Sequence, residues 1–185
     1  RDFELNSGEA TTWGSLLVDG DVLFATANPV SVAGSGDQSK AAEIPDNSKV
    51  LIPPNAEWQY LVGKEPKDSW TTLGFEPSGW KNGKAGFGYG DDDDRTVLKD
   101  MSGRYQRVYI RREFEIDDAA ANGDLYLAIN FDDAFIAYMN GHEVQRVNVQ
   151  SGAAAKAKDI KSHEASGTEL FQLRDASRWL NKGRN

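Results

Sequence analysis

The chain has 185 residues, 39% of them hydrophobic, with no cysteine and a formal net charge of −8. This length suits one domain with a hydrophobic core, and the absence of cysteine excludes disulfides and thiol chemistry. The acidic balance, with no basic run, argues against binding to nucleic acid or anionic membranes, and no apolar stretch approaches the roughly 18–20 residues of a spanning helix.

The first 49 residues differ in composition from the rest. Phe3 to Leu5 and Leu16 to Phe24 are apolar enough to form short strands. Residues 32–48 are rich in Gly, Ser, Asp, Ala and Lys, which predicts a flexible surface loop. We therefore divide the chain into an N-terminal extension, residues 1–49, and a domain, residues 50–185.

The first half of the domain alternates strand signals with loop signals. Residues 58–62 alternate large apolar with other side chains, which predicts a strand, because side chains on a strand alternate between its faces. Residues 66–90 mix aromatic residues with Gly and Pro, which predicts an irregular segment that buries its own rings. Residues 107–116 form the clearest single predicted strand.

The most informative stretch is residues 124–148. Apolar side chains recur at every second position from Leu125 to Phe131 and again from Phe135 to Met139. Asn140 and Gly141 tolerate the positive φ of a type I′ turn, so the chain is predicted to return as an antiparallel hairpin. Phe171 to Leu173 predicts one more strand end, and a short helical turn follows it. The predicted fold class is all-β, with little helix.

The chain also resembles a known family through five segments that occur in a fixed order. These are LIPPNAEWQYLVG at 51–63, Trp70, FEPSGWKNGKAGFGYGDDDD at 75–94, YQRVYIRREFEI at 105–116 and NFDDAFIAYMNGHEVQRVN at 130–148. The set resembles the galactose-binding-like domain that is appended to secreted bacterial hydrolases, phosphatase-like proteins and spore-coat (CotH-type) proteins. The resemblance covers residues 50–185 and implies an antiparallel jelly-roll β-sandwich.

One departure from the family concerns the last strands. In the family, a segment like 171–185 runs into one or two further apolar strands. A sandwich without them would expose a sheet edge, which folded proteins usually avoid. Three explanations are open: the parent protein continues and the sandwich is truncated here, residues 13–30 supply the strand, or a neighbouring chain donates it. We favour the first.

Four consecutive carboxylates, Asp91, Asp92, Asp93 and Asp94, follow a glycine-rich segment. Adjacent carboxylates repel one another unless a positive charge lies among them. Oxygen ligands on a flexible loop suit Ca²⁺, although the spacing is not that of an EF-hand. The run is therefore predicted to be either a structural calcium site or an acidic turn in solvent.

Four further residues are candidate ligand-binding residues. Trp70 and Tyr89 lie on loop-like stretches, where an exposed ring can stack on the apolar face of a sugar. Asp132 and Asp133 lie between two predicted strands, and members of the family carry this pair, usually followed by Gly where this chain has Ala134. One of these carboxylates could complete a cation site or accept hydrogen bonds from ligand hydroxyls. Their alternative role is structural, because Asp at a turn accepts hydrogen bonds from nearby backbone N–H groups.

No motif combines an acid, a base and a nucleophile, and His142 and His163 lack the spacing of a zinc site, so we expect no enzyme. The leading hypothesis is a non-catalytic carbohydrate-binding module, extracellular or at the cell surface, within a larger protein. Its partners would be a polysaccharide or glycan and the other domains of the parent. The alternative is a structural or assembly domain that acts through protein–protein or strand-exchange contacts, including self-assembly.

Overall fold

The computed structural model of the protein describes residues 22–27, 44, 48–89, 94–117, 124–149, 160–164 and 167–185. Over these ranges the regular structure is strand, with two 3₁₀ helices at Asp68–Thr71 and Ala176–Arg178. The strands are β1 (Val22–Ala27), β2 (Lys49–Ile52), β3 (Glu57–Val62), β4 (Lys81–Lys84), β5 (Phe87–Gly88), β6 (Thr96–Val97), β7 (Val108–Arg111), β8 (Glu115–Ile116), β9 (Asp124–Ile129), β10 (Phe135–Met139), β11 (His142–Val147), β12 (Glu169–Leu173) and β13 (Gly183–Arg184). In this part of the chain, no helix has the length and apolar character needed to cross a membrane.

One layer is a four-stranded antiparallel sheet in the order β12-β9-β1-β2. Strand β1 lies inside this sheet, with Val22 opposite Ile129 of β9 and Phe24 opposite Ile52 of β2. A strand from within residues 13–30 therefore belongs to the sheet. The predicted strand at residues 3–5, and residues 16–21 of the second predicted strand, lie outside the described residues.

The other strands form smaller sheets. Strands β4, β3 and β7 form an antiparallel sheet in that order, β10 pairs with β11, and β8 pairs with β13. Strands β5 and β6 are the exception, because they pair in parallel. The predicted all-β class is confirmed, and the fold is sandwich-like. The jelly-roll connectivity of the family stays a prediction.

The predicted hairpin is confirmed. Strands β10 and β11 pair in the antiparallel sense on either side of Asn140 and Gly141. These two residues have φ values of 50° and 86°, so both adopt the left-handed conformation that a type I′ turn requires. Glycine and asparagine tolerate this conformation better than other residues, and the local sequence is therefore enough to set the turn.

Two predictions about the strands were wrong. Residues 107–116 do not form one strand, because β7 pairs with β3 while β8 pairs with β13. Between them, the Phe114 backbone exchanges two hydrogen bonds with Asn185, which changes the pairing partner along the chain. The segment 66–90 is also more regular than predicted, since it contains β4 and β5.

The main core lies between the two layers. Leu125, Leu127 and Ile129 of β9 are at most 1% exposed, and they pack in one cluster with Val108 of β7 and Phe135 of β10. Burial of apolar surface of this kind contributes about 1.5–3 kcal/mol for each large side chain. The inner side chains of β3, β7 and β10 consequently face the four-stranded sheet, and their outer side chains form the opposite surface.

Candidate functional site

Trp70 lies in a group of aromatic rings on the outer side of β7. Its ring centroid is 5.6 Å from that of Tyr109, 5.9 Å from that of Trp80 and 5.9 Å from that of Tyr138. The side chain is half-buried, and its neighbours occupy much of the ring surface that a sugar would need. In this arrangement Trp70 joins the outer faces of β7 and β10.

Tyr89 and Asp94 lie elsewhere, next to β5. Tyr89 is half-buried and packs against the main core. The Asp94 carboxylate lies so close to β5 that a Cβ atom on Gly88 would be 2.4 Å from its Oδ2 atom. Asp91, Asp92 and Asp93 lie outside the described residues, and the described part of the chain holds no cluster of three or more metal-ligating side chains.

Asp132 and Asp133 form the turn between β9 and β10. Asp133 has a φ of 57°; its N–H donates to the His163 carbonyl at 2.7 Å, and its Oδ1 accepts from the His163 N–H at 3.3 Å. The His163 ring stacks on Phe131 at 4.4 Å, and its Nε2 lies 2.8 Å from Glu169 Oε1. Asp133 thus attaches residues 160–164 to the sheet corner.

The predicted ligand residues therefore occupy separate regions. Trp70 lies outside β7, Tyr89 beside β5, and the aspartate pair at the corner of β9 and β10. Among the described residues, no ring contact joins Trp70 with Tyr89. A different surface brings polar side chains together.

That surface is the outer face of the β4-β3-β7 sheet. Gln59 of β3 lies opposite Asn82 of β4 on one side and Arg111 of β7 on the other, so the three residues form one row across the sheet. Here they line an open groove of about 330 Å³. The full lining consists of Glu57, Trp58, Gln59, Asn82, Arg111, Arg112 and Glu113. We call this surface the outer groove.

The charges of the outer groove balance. Arg111 and Arg112 offset Glu57 and Glu113, so the groove has no formal net charge. Arg111 Nη2 lies 3.2 Å from Glu113 Oε1, and an Arg112 Nη1 N–H donates to the Glu57 carbonyl oxygen. The exposed side chains of Glu57 and Asn82, with the half-buried Gln59, present carbonyl, carboxylate and amide groups to the groove.

Trp58 closes the base of the outer groove. Its side chain is 7% exposed, and it also belongs to the main core. The buried Trp58 Nε1–H has no hydrogen-bond acceptor within the described part of the chain. An unpaired buried donor costs about 1–3 kcal/mol. A buried water that accepts from this N–H would offset that cost.

A loop attached by Arg111 adds aromatic side chains beside the outer groove. Arg111 Nη1 donates to the Phe75 carbonyl at 2.9 Å, and its guanidinium lies 5.4 Å from the centre of the Phe75 ring. Phe75 in turn contacts Trp80 edge-on at 5.9 Å. Trp80 precedes β4 by one residue and Asn82 by two, so strand alternation places both side chains on the same face.

The same loop is anchored to β7 by a buried tyrosine. The Tyr109 hydroxyl donates a hydrogen bond to Glu65 Oε2, while Arg107 Nη1 lies 2.6 Å from Glu65 Oε1. Burial raises the pKa of Tyr109, and the hydrogen bond to Glu65 raises it further. Tyr109 therefore stays a neutral donor at ordinary pH and fixes the position of the loop rather than acting as a base.

Some of the outer-groove residues could be predicted from the sequence. Glu57 and Gln59 alternate with the inward Trp58 and Tyr60, so their outward direction was predictable. The contribution of Asn82 was not, because β4 has the sequence KNGK, which lacks the β-branched and aromatic residues typical of strands.

Comparison with known proteins adds no assignment: no family model, no curated protein and no solved structure matches the chain. The geometry of the described residues therefore carries the functional argument.

Proposed function

We propose that the protein is a non-catalytic, extracellular or cell-surface module that binds carbohydrate in the outer groove. The observation that carries this proposal is the row of Asn82, Gln59 and Arg111 across three neighbouring strands. Amides, carboxylates and guanidinium groups satisfy both the donors and the acceptors of sugar hydroxyls. The resemblance to galactose-binding-like domains supports the same assignment.

The balance of charge favours a neutral ligand. A site for phosphate or nucleic acid carries excess positive charge, whereas the lining of the outer groove holds two arginines and two glutamates. Trp80 is half-buried on the same face, and the part of its ring that its contacts with Trp70 and Phe75 leave exposed provides an apolar surface beside the groove.

The test is a glycan array followed by titration calorimetry on the best ligand. We expect the double variant Gln59→Ala/Asn82→Ala to weaken binding by tenfold or more, because each lost hydrogen bond is worth about 0.5–1.5 kcal/mol. The matched control is Asn55→Ala/Gln106→Ala, which removes the same two amide types at exposed positions outside the groove. Equal affinity of both double variants, or no glycan bound by the unmodified protein, would reject the proposal.

Structural calcium is a separate part of the proposal, and it depends on Asp91, Asp92 and Asp93 together with Asp94. Carboxylate oxygens fit the preference of Ca²⁺ for hard ligands. We expect 1 mM Ca²⁺, on the order of 100 times a typical Kd for such a site, to add about 2.7 kcal/mol to the free energy of unfolding, with reversal by EDTA. The variant Asp91→Asn/Asp92→Asn should lose this response, and an unmodified protein whose melting ignores Ca²⁺ would exclude the ion.

A further inference from the structure

Alternate residues along β7 all contact one loop, residues 65–80. Arg107, just before β7, and Tyr109 both contact Glu65 at the start of this loop. Arg111, which also lines the outer groove, contacts the loop farther along. Side chains two residues apart on a strand share a face, so the loop follows the outer face of β7 towards the groove.

Arg111 uses its guanidinium to hold this loop. Its side chain is only 10% exposed. Its Nη1 donates to the Phe75 carbonyl at 2.9 Å, and its Nη2 donates to the Thr72 carbonyl at 3.4 Å and lies 3.2 Å from Glu113 Oε1. The guanidinium carbon lies 5.4 Å from the centre of the Phe75 ring. A planar guanidinium can make these contacts together, whereas the compact ammonium of a lysine cannot.

A tight turn joins Phe75 to Trp80. The Ser78 N–H donates to the Glu76 carbonyl at 2.8 Å, and the Trp80 N–H donates to the Pro77 carbonyl at 3.0 Å. The rings at the two ends of this turn meet edge-on, with their centroids 5.9 Å apart. The position of the Trp80 ring is therefore coupled to that of Phe75.

The two rings lie beside the polar row of the outer groove. Arg111 of β7 is at one end of this row, and Asn82 of β4 is at the other. Phe75 contacts the guanidinium at the first end, and Trp80 lies two residues before Asn82 at the second. Both rings are half-buried and touch each other, so they form one apolar surface along the row. We call Phe75 and Trp80 the aromatic wall.

We propose that Arg111 is a positioning residue of the outer groove, which holds the aromatic wall where the apolar face of a bound sugar lies. The role of Arg111 rests on the proposed function and extends it to the part of the site that recognises ring carbons. Gln59 and Asn82 bond the hydroxyls, and the aromatic wall packs against the C–H face. The ligand is a neutral glycan with an apolar pyranose face, and Arg111 acts on it through Phe75.

The position of the aromatic wall is measured first without ligand. Fluorine NMR is recorded on the whole chain with fluorotryptophan at its five tryptophans, and the Trp80 signal is assigned with Trp80→Phe. We expect Arg111→Lys and Phe75→Leu each to shift or broaden this signal. Arg146→Lys should leave it in place. Arg146 is the matched control, because it also pairs with a glutamate, Glu143, but lies on β11 outside the outer groove.

Affinity is measured next, by titration calorimetry with the neutral glycan that binds best on the array. We expect Arg111→Lys and Phe75→Leu each to weaken binding about tenfold, which is the size of one lost aromatic contact. The double variant should bind no more weakly than the weaker single variant, because both changes act through the same wall. Arg146→Lys should bind as tightly as the unmodified protein.

Four results would overturn the proposal. An unmoved Trp80 signal in Arg111→Lys would do so whether or not a glycan binds, and the same result in Phe75→Leu keeps the test decisive if Arg111→Lys does not fold. Losses that multiply in the double variant would show that Arg111 contacts the sugar itself. Unchanged affinity in both single variants would remove the aromatic wall from the site and leave the proposed function standing. A moved Trp80 signal with no glycan bound would reject the proposed function, and the role of Arg111 in binding with it.

Discussion

The buried side chain of Asn185 is hydrogen-bonded at both of its polar atoms. Its Oδ1 accepts from Asn140 Nδ2 at 2.9 Å and from the Asn181 N–H at 2.7 Å. Its Nδ2 donates to the carbonyls of Asn181 and Gly183 at 2.8 Å and 2.9 Å. One amide thereby links the β10-β11 turn to the segment that follows the second 3₁₀ helix, and its loss would leave several buried groups unpaired.

We expect Asn185→Ala to lower the free energy of unfolding by about 2–3 kcal/mol, because unsatisfied buried groups carry their full desolvation cost. Urea unfolding at pH 7 measures the change. The control is Asn181→Ala, since Asn181 joins this network through its backbone and its side chain is exposed. That substitution should stay within about 0.5 kcal/mol of the unmodified protein. Equal losses for the two variants would contradict the role given to the Asn185 amide.

Tyr109 makes the free energy of unfolding fall with increasing pH in the alkaline range. Burial and the Glu65 hydrogen bond raise its pKa above the unfolded value of about 10, so the stabilisation is complete below that pH and is lost as the pH rises through the folded-state pKa. We expect the free energy of unfolding to decline as the pH rises above about 10, and Tyr109→Phe to make this decline shallower. The remaining pH dependence comes from Tyr105, Tyr126 and Tyr138, because burial raises their pKa values as well. An unchanged slope in Tyr109→Phe would refute this account.

At the scale of elements, the hairpin turn is constrained by both conformation and contact. Gly141 has a φ of 86°, and a Cβ there would lie 3.1 Å from Thr72 Cγ2. Gly103 has a similar φ of 74°, but a Cβ there would meet nothing within 4 Å. The two glycines thus separate the conformational cost of a side chain from the cost of its contact.

We expect Gly103→Ala to lower the free energy of unfolding by about 1–2 kcal/mol through the left-handed backbone alone. Gly141→Ala should lower it by more, because Thr72 must also move. Thermal unfolding of both variants under one set of conditions gives the comparison. A larger loss for Gly103→Ala would show that the contact with Thr72 is readily relieved.

The elements that were predicted well from the sequence are those with a clear alternation of apolar side chains and with recognisable turn residues. Strands β9 and β10 alternate over several residues, and Asn140-Gly141 defines the turn between β10 and β11. Strand β4 has neither signal. It forms a strand because it pairs with β3, and its own residues do not favour one. The outer groove needs Asn82 beside Gln59, so it depended on that unpredicted strand. The end of strand pairing after β7 could not be predicted from the local sequence either, since it depends on Asn185, more than 70 residues later.

At the scale of the whole molecule, β1 makes residues 22–27, which the sequence assigned to an extension, part of the four-stranded sheet. Its backbone pairs with β9 on one side and with β2 on the other. Removal of β1 would leave β2 without a partner in the sheet and would uncover one edge of β9. Residues 22–27 are therefore part of the folded unit.

We expect a variant that begins at residue 28 to lose cooperative unfolding, because an interior strand of the four-stranded sheet is gone. Circular dichroism during thermal denaturation gives the readout, with hydrogen exchange in Leu125–Ile129 as a local measure. The control keeps the full length and carries Val97→Thr, a change at an exposed side chain outside this sheet. A truncated protein that melts at the same temperature as the full chain would show that β1 is dispensable.

The place of β1 also limits how early in synthesis the four-stranded sheet can form. Its neighbour β9 is encoded about a hundred codons later, and β12 later still. Contacts between such distant segments close large loops and form slowly. Before β9 has been synthesised, one side of β1 therefore has no partner, and β1 and β2 can form only a two-stranded ribbon, which is marginally stable in water. Unpaired strand edges of this kind make a partly synthesised chain prone to aggregate until β9 emerges.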